Sequence, residues 1–226
     1  MKQRFKGEVL SKRKCINNLL RYYRLANASE LIEGMNWYND AKQYATELAA
    51  RFNITLSQVV GIIAAFSPQT GWAENKRYVL SFLINPKVGL KSEVQNSKAR
   101  AILNMNNETD IYNALSLHKD GALKTKAFFL NILNPDVITD VTIDRHAVAA
   151  SIQHPDSTEA LPDNYRDYTK KQYNFLESCY VDAANEMNIL PQQLQAIVWT
   201  VYRRQRDLKE HVTTNDWKPF STNVTF

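Results

Sequence analysis

Lys124 and Asp144 stand near the two ends of one apolar stretch, KTKAFFLNILNPDVITDVTIDRHAV. An amine and a carboxylate so placed could act on one substrate. A lysine at the start of a helix faces the positive end of the helix dipole, the unfavourable end for a cation. With partial burial, that field favours the neutral amine, which is a nucleophile. A solvated surface lysine is the plainer reading, and Lys126 competes for either role. Asp144 follows Val-Thr-Ile and opens a second helical run, Arg-His-Ala-Val. Its carboxylate can cap that helix. It can also stay ionised beside a developing positive charge. Asp136 and Asp140 are rivals, but both fall in the turn before the apolar step. His146 could act as a general base; a core histidine beside the site fits its surroundings better.

Two turns could present polar groups to the same place. In HKDGALKT a helix runs into Asp120, Gly121, Ala122 and Leu123, and another starts at about Lys124. Backbone N–H groups at such a turn can hold a phosphate, or the glycine serves only the turn. In FSPQTGWAENK an apolar helix stops at Ser67-Pro68 and the next begins near Trp72. Ser67, Gln69, Thr70 and Asn75 are then either a capping loop or a polar patch beside a cleft. His118, His146, His154 and His211 lack metal-ligand spacing. Cys15 and Cys179 are too far apart in sequence for a metal knuckle and read as buried thiols. No Gly-rich phosphate loop or nucleophile elbow is present. Neither a metal nor a cofactor is expected.

The elements that must position these groups read as helices throughout, so the fold class is all-α. Ten segments, from Cys15–Ala26 to Gln192–Leu208, carry apolar residues at three- and four-residue spacing. No comparable stretch alternates with period two. The seven prolines fall between these segments. Thr55 and Ser57 stand where an N-cap is wanted, and Pro191 suits a first helical turn. With 226 residues, 44% hydrophobic and 23% charged, the chain suits one compact helical unit over 1–226. The longest loop is expected at 154–164, and a loose tail over 211–226. No run nears the roughly 20 apolar residues a membrane span needs. The basic N-terminus lacks the apolar core of a signal peptide. A soluble cytoplasmic protein with no membrane partner is expected. The net charge of +5, gathered at Lys2–Lys14, Lys76/Arg77, Lys119–Lys126 and Tyr202–Arg206, suits a polyanionic partner.

Taken in order, VVGIIAAFSPQTGWAENK, NSKARAILN, LSLHKDGALKTKAFFLNI and VTIDRHAV resemble the helix-hairpin-helix DNA glycosylase superfamily, in particular its endonuclease III branch. The resemblance covers about residues 58–150. It implies two helical lobes with a cleft between them. A glycosylase-like core would span 55–150 with its hairpin at 118–126, and 1–54 and 151–210 would supply the packing helices of the second lobe. By position, Lys124 matches the family's catalytic lysine and Asp144 its catalytic aspartate. Gly121, Ala122 and Leu123 match the hairpin that holds the DNA backbone, with Thr125 and Lys126 beside it. Gln69 matches the residue that reaches toward the space left by a flipped base. Ser67, Trp72, Asn75, Phe128 and His146 are the pocket candidates. Two departures stand out: Asp120 replaces the hairpin's usual proline, and Leu123 stands at its second glycine. The four-cysteine iron–sulfur motif of many relatives is absent.

The activity so implied is excision of a base from double-stranded DNA by a monomer, with strand cleavage at the abasic site through a lysine Schiff base. A related set of phage enzymes is thought to use the same fold to hypermodify thymine, so a DNA-base modifying transferase is the alternative. A non-catalytic DNA-binding module is the third reading, suggested by the charge.

Overall fold

The computed structural model describes residues 2–5, 8–116, 122–155 and 168–209, without the side chains of residue 8 and residues 207–209. The expected long loop lies mostly outside these residues, and the tail lies wholly outside them. The described chain is mostly helical. Ten helices follow a short hairpin of β1 (Lys2–Phe5) and β2 (Glu8–Ser11). They are α1 (Lys12–Arg24), α2 (Ala28–Phe52), α3 (Leu56–Phe66), α4 (Trp72–Ile84), α5 (Glu93–Leu103), α6 (Glu108–Ala114), α7 (Leu123–Leu133), α8 (Arg145–Ile152), α9 (Lys170–Met187) and α10 (Pro191–Lys209). Each of the ten apolar-periodic segments has its helix. No single helix among the described residues is long and apolar enough to cross a membrane.

The hairpin corrects the expectation of helix throughout. β1 and β2 pair antiparallel, with Lys2 opposite Ser11 and Phe5 opposite Glu8. Four residues per strand are too few to display a period of two. The pairing is held by tertiary contacts. Phe5 and Leu10 are buried, and the Gln172 side-chain amide of α9 donates to the Arg4 carbonyl at 2.8 Å.

Local chemistry sets most helix starts. Thr55 accepts from the Gln58 backbone N–H while the Gln58 side chain accepts from that of Thr55, a reciprocal capping box. Asn27 with Glu30, Ser92 with Gln95 and Thr169 with Gln172 repeat it. Ser57 is not the cap; it lies inside α3, with its hydroxyl 3.0 Å from that of Thr55.

Two hydrophobic cores form. One joins the hairpin, α1, α8, α9 and much of α10 around Leu19, Leu176, Tyr180 and Val198. The other joins α2 to α7 around Ile62, Phe66, Phe82 and Phe129. The lobe boundary therefore differs from the expected one. α2 packs with the core built by α3–α7, while α8 packs with the terminal helices. Their burial requires it: Ala41, Ala45 and Leu48 fall within the α3–α7 core, and Val148 and Ala150 within the other.

α2 and α10 hold the two cores together by crossing antiparallel at close range. A Cβ on Gly34 would come within 2.8 Å of both the Cα and the backbone N of Ile197, so only glycine lets the helices approach this far. One turn on, the buried Tyr38 hydroxyl donates to Gln195 Oε1 at 2.9 Å. One turn before, Arg204 donates from Nε (2.6 Å) and Nη2 (3.1 Å) to the two oxygens of buried Glu30. Gly34→Ala is expected to destabilise the protein. Overpacking against backbone costs up to ~3 kcal/mol, and the gain in helix propensity recovers about 1 kcal/mol of it. A net loss of about 2 kcal/mol lowers the melting temperature by roughly 4–8 °C. An unchanged melting temperature would show that the crossing can yield.

Candidate active site

A cleft of about 630 Å³ opens between the two cores. Each wall comes from a different set of elements. Trp37 and Tyr38 of α2, the Ser67–Gly71 connection, Trp72 and Asn75 of α4, and Lys124 and Phe128 of α7 form one side. Thr142, Asp144, Arg145, His146, Tyr168 and the α10 residues Gln195, Ala196, Trp199 and Arg203 form the other. Lys124 and Asp144 thus line the same cavity, and Ser67, Gln69, Trp72, Asn75, Phe128 and His146 join them.

Of the other expected DNA contacts, Ala122, Leu123, Thr125 and Lys126 do not line this cleft. Gly121, with His118 and Asp120, lies outside the described residues. Ala122 is exposed beyond the cleft, and Leu123 packs against the terminal core. Thr125 and Lys126 are 8% and 5% exposed. The Lys126 ammonium sits 4.6 Å above the Tyr112 ring, inside the α3–α7 side of the molecule. These two calls are corrected by helix geometry. Each residue turns roughly 100° about the axis, so Lys124 and Phe128 share the cleft face while Thr125 and Lys126 turn from it. Helix α7, expected to start at about Lys124, starts at Leu123 behind a left-handed residue. Ala122 has φ 55° and ψ 34°, and Leu123 is already helical.

Asp144 is the N-cap of α8. Its Oδ1 accepts from the backbone N–H of His146 (2.9 Å) and Ala147 (2.8 Å). The second carboxylate oxygen takes no part in that cap. Cap and cleft residue are therefore one side chain. The chain leading to it, Asp140–Ile143, is neither helix nor strand and pairs with no strand among the described residues. Side chains take the place of one. Asn131 of α7 donates to the Asp140 carbonyl (2.8 Å) and accepts from the Thr142 hydroxyl (2.9 Å). The Tyr173 hydroxyl donates to the Val141 carbonyl (2.6 Å) and accepts from the Ile143 N–H (3.3 Å). The Tyr168 hydroxyl donates to the Ile143 carbonyl (2.7 Å), and Glu177 accepts from the Val141 N–H (3.1 Å). Burial raises the phenol pKa of Tyr168 and Tyr173, which keeps both as neutral donors.

The Ser67–Thr70 connection is fastened from outside the cleft. The Lys91 ammonium donates to the Phe66 carbonyl at 3.3 Å, and also to the Pro68 carbonyl and the Thr70 hydroxyl. Burial and the nearby charge of Lys124 lower the Lys91 pKa, and Glu74 opposes them. Held in this clamp, Gln69 is exposed with φ 56°, a left-handed conformation that costs a non-glycine residue about 1–2 kcal/mol.

The cleft has an aromatic end. Trp37 packs on Trp72 with ring centroids 5.2 Å apart and on Phe128 at 5.8 Å. Cations outnumber anions in the rest of its lining. Lys124, Arg145 and Arg203 line it against the single carboxylate of Asp144. None of the three is ion-paired among the described residues. His146 does not add to that charge. Burial, with Arg145, Arg203 and Arg206 nearby, pushes its pKa down to about 4 against the opposing pull of Asp144. It stands edge-on to Trp199 and accepts from Arg145 Nε at 3.3 Å as a neutral imidazole. This geometry suits a positioned neighbour of Asp144 rather than a cation. Trp37, Tyr38, Thr142, Arg145, Tyr168, Gln195 and Arg203 come to the cleft from positions with no shared sequence spacing.

Residues 1–206 match a protein family described only as of unknown function, DUF7178. No curated protein and no solved structure matches the chain.

Glu177 gives a measurable handle on the Asp144 strap. Burial, with Asp140 nearby, raises its pKa from 4.5 to about 7, while the Val141 N–H opposes the shift. The folded state therefore holds this proton more tightly than the unfolded chain does. The stabilising contribution is full below about pH 4.5 and is lost as pH rises through about 7. Compared with Glu177→Gln, the wild type is expected to lose urea stability between pH 5 and 7.5. Parallel pH profiles for the two proteins would refute the assignment.

Proposed function

The chain belongs to this family of unknown function, and from its cleft we propose that it is a DNA N-glycosylase with abasic-site lyase activity, built as a two-lobed helix-hairpin-helix glycosylase. One observation carries the reading: Lys124 in the first turn of α7 and Asp144 at the N-cap of α8 line a single cleft. The aromatic end and the excess of cations support it, because a flipped nucleotide brings a flat base and a phosphate together.

The chemistry needs little beyond these groups. Extruding a base from the duplex costs a few kcal/mol. Gln69, at the cleft on its clamped loop, would fill the vacated space and offset that cost. As the N-glycosidic bond breaks, its electron pair leaves with the base and positive charge develops on the sugar. The Asp144 carboxylate stabilises that charge. The Lys124 amine donates its lone pair to C1′ and loses a proton, and the sugar ring opens to a protonated imine. The imine acidifies the C2′ hydrogen. Loss of that proton expels the 3′ phosphate, and the strand is cut. The phosphates would be held by Arg145 and Arg203, since Thr125 and Lys126 are buried away from the cleft.

Borohydride reduction in the presence of duplex DNA with an abasic site tests the assignment. The wild type is expected to form a covalent adduct, and Lys124→Ala is expected to form none. Asp144→Asn keeps an oxygen for the α8 cap and is expected to slow base release by roughly 100-fold. No adduct, or an equal adduct from Lys124→Ala, would overturn the proposal. Salt-dependent DNA binding without an adduct would leave a binding module instead.

A further inference from the structure

Asn75 carries an unmet demand inside the cleft. The residue is 2% exposed and lies on the first turn of α4, beside the aromatic end. Its Nδ2 donates to the Ile63 carbonyl at 3.0 Å, which fixes the orientation of the amide. Its Oδ1 is buried and has no hydrogen-bond partner. An unpaired buried acceptor costs about 1–3 kcal/mol, so the position is disfavoured unless a ligand completes it. Gln195 stands in the same cleft in the complementary state. Its Oε1 accepts from the Tyr38 hydroxyl, which orients the Nε2 donor. The cleft thus offers one fixed acceptor and one fixed donor next to a wall of Trp37, Trp72 and Phe128.

We propose that Asn75 Oδ1 reads the base: it accepts a hydrogen bond from an N–H on the Watson–Crick edge of the nucleobase held in the cleft, with Gln195 Nε2 donating to a neighbouring carbonyl or ring nitrogen. This inference rests on the nucleotide-binding reading of the cleft and deepens it to a specificity-determining contact. The shared chemistry is a base N–H. It has two sources, the ring N–H of uracil, thymine and guanine and the exocyclic amine of cytosine, adenine and guanine. An acceptor-only group of this kind rejects a base whose N–H is replaced by a methyl, since the buried oxygen is then left unpaired.

The test uses the full chain and free nucleotides, so that neither Schiff-base formation nor base pairing enters. Deoxyuridine monophosphate is compared with its N3-methyl form, and deoxycytidine monophosphate with its N4,N4-dimethyl form. Binding is followed in both proteins by titration of the indole N–H resonances of the cleft tryptophans, and in the wild type also by the Asn75 side-chain amide resonances. One methylated analogue is expected to bind at least about tenfold more weakly than its parent, the loss of one buried hydrogen bond. The pair that shows this loss identifies the source of the N–H. In Asn75→Leu the discrimination is expected to vanish. Equal binding of both pairs to the wild type, no nucleotide binding, or discrimination that persists in Asn75→Leu would overturn the proposal. If Asn75→Leu does not fold, the wild-type comparison and the Asn75 resonances still decide. The result is independent of borohydride trapping: an adduct without discrimination sinks this inference alone, and discrimination without an adduct sinks the lyase reading alone.

Discussion

The crossing of α2 and α10 is the contact on which the rest of the structure depends. Two cores of this size could be strung on a linker and move independently. Here the helices that join them approach to backbone distance at Gly34 and Ile197. Glu30–Arg204 and Tyr38–Gln195 fasten the crossing on either side. The buried Glu30 also accepts from the Asn27 backbone N–H and closes the α2 capping box, so one carboxylate serves helix start and lobe contact together. Removing Arg204 would leave the buried Glu30 carboxylate without its ion pair. The same pair of helices lines the cleft, with Trp37 and Tyr38 from α2 and Gln195, Ala196, Trp199 and Arg203 from α10. The shape of the site is therefore a property of the packing that holds the protein together.

What the sequence made legible was local. Apolar residues at helical spacing, with cap signals such as Thr55, placed ten helices, because those signals act within one or two turns. The first turns of α2 were not legible. Gly34 and Asn36 are poor helix formers, and the reason for Gly34 lies more than 160 residues away, at Ile197. The paired strands at the N-terminus escaped for the same kind of reason. In the site, the charged pair at positions 124 and 144 could be singled out because each stands at a helix start. Lys126 was the harder case. It is two residues from Lys124, but only rotation about the helix axis, combined with knowledge of which face is inward, shows that it is buried over Tyr112. Trp37, Gln195 and Arg203 were out of reach, since residues that converge from separate helices share no spacing.

The strap that carries Asp144 shows a different solution to an old constraint. A segment outside helix and strand in a protein interior needs partners for its N–H and C=O groups. A sheet would supply them from backbone, at the cost of an entire neighbouring strand. This chain uses Asn131, Tyr168, Tyr173 and Glu177, which reach in from α7, from α9 and from just before α9. Side chains of this kind hold the segment in one register, because each meets a particular atom. The carboxylate at the strap's end is held in turn by its own α8 cap. Position is thus handed from two helices, through the strap, to a third.

The antiparallel α2–α10 seam also bears on motion. Enzymes that close over a ligand by hinge bending have lobes joined at a few flexible residues. Lobes joined along two packed helices can move only by sliding side chains past one another, in steps limited by close packing. A cleft built on such a seam acts as a stiff mould. Any adjustment needed for a large ligand to enter falls on the ligand, which must bend, unstack or extend a single unit into the opening. If the ligand is the proposed duplex, a sequence or lesion that deforms easily would then be favoured before any base contact forms.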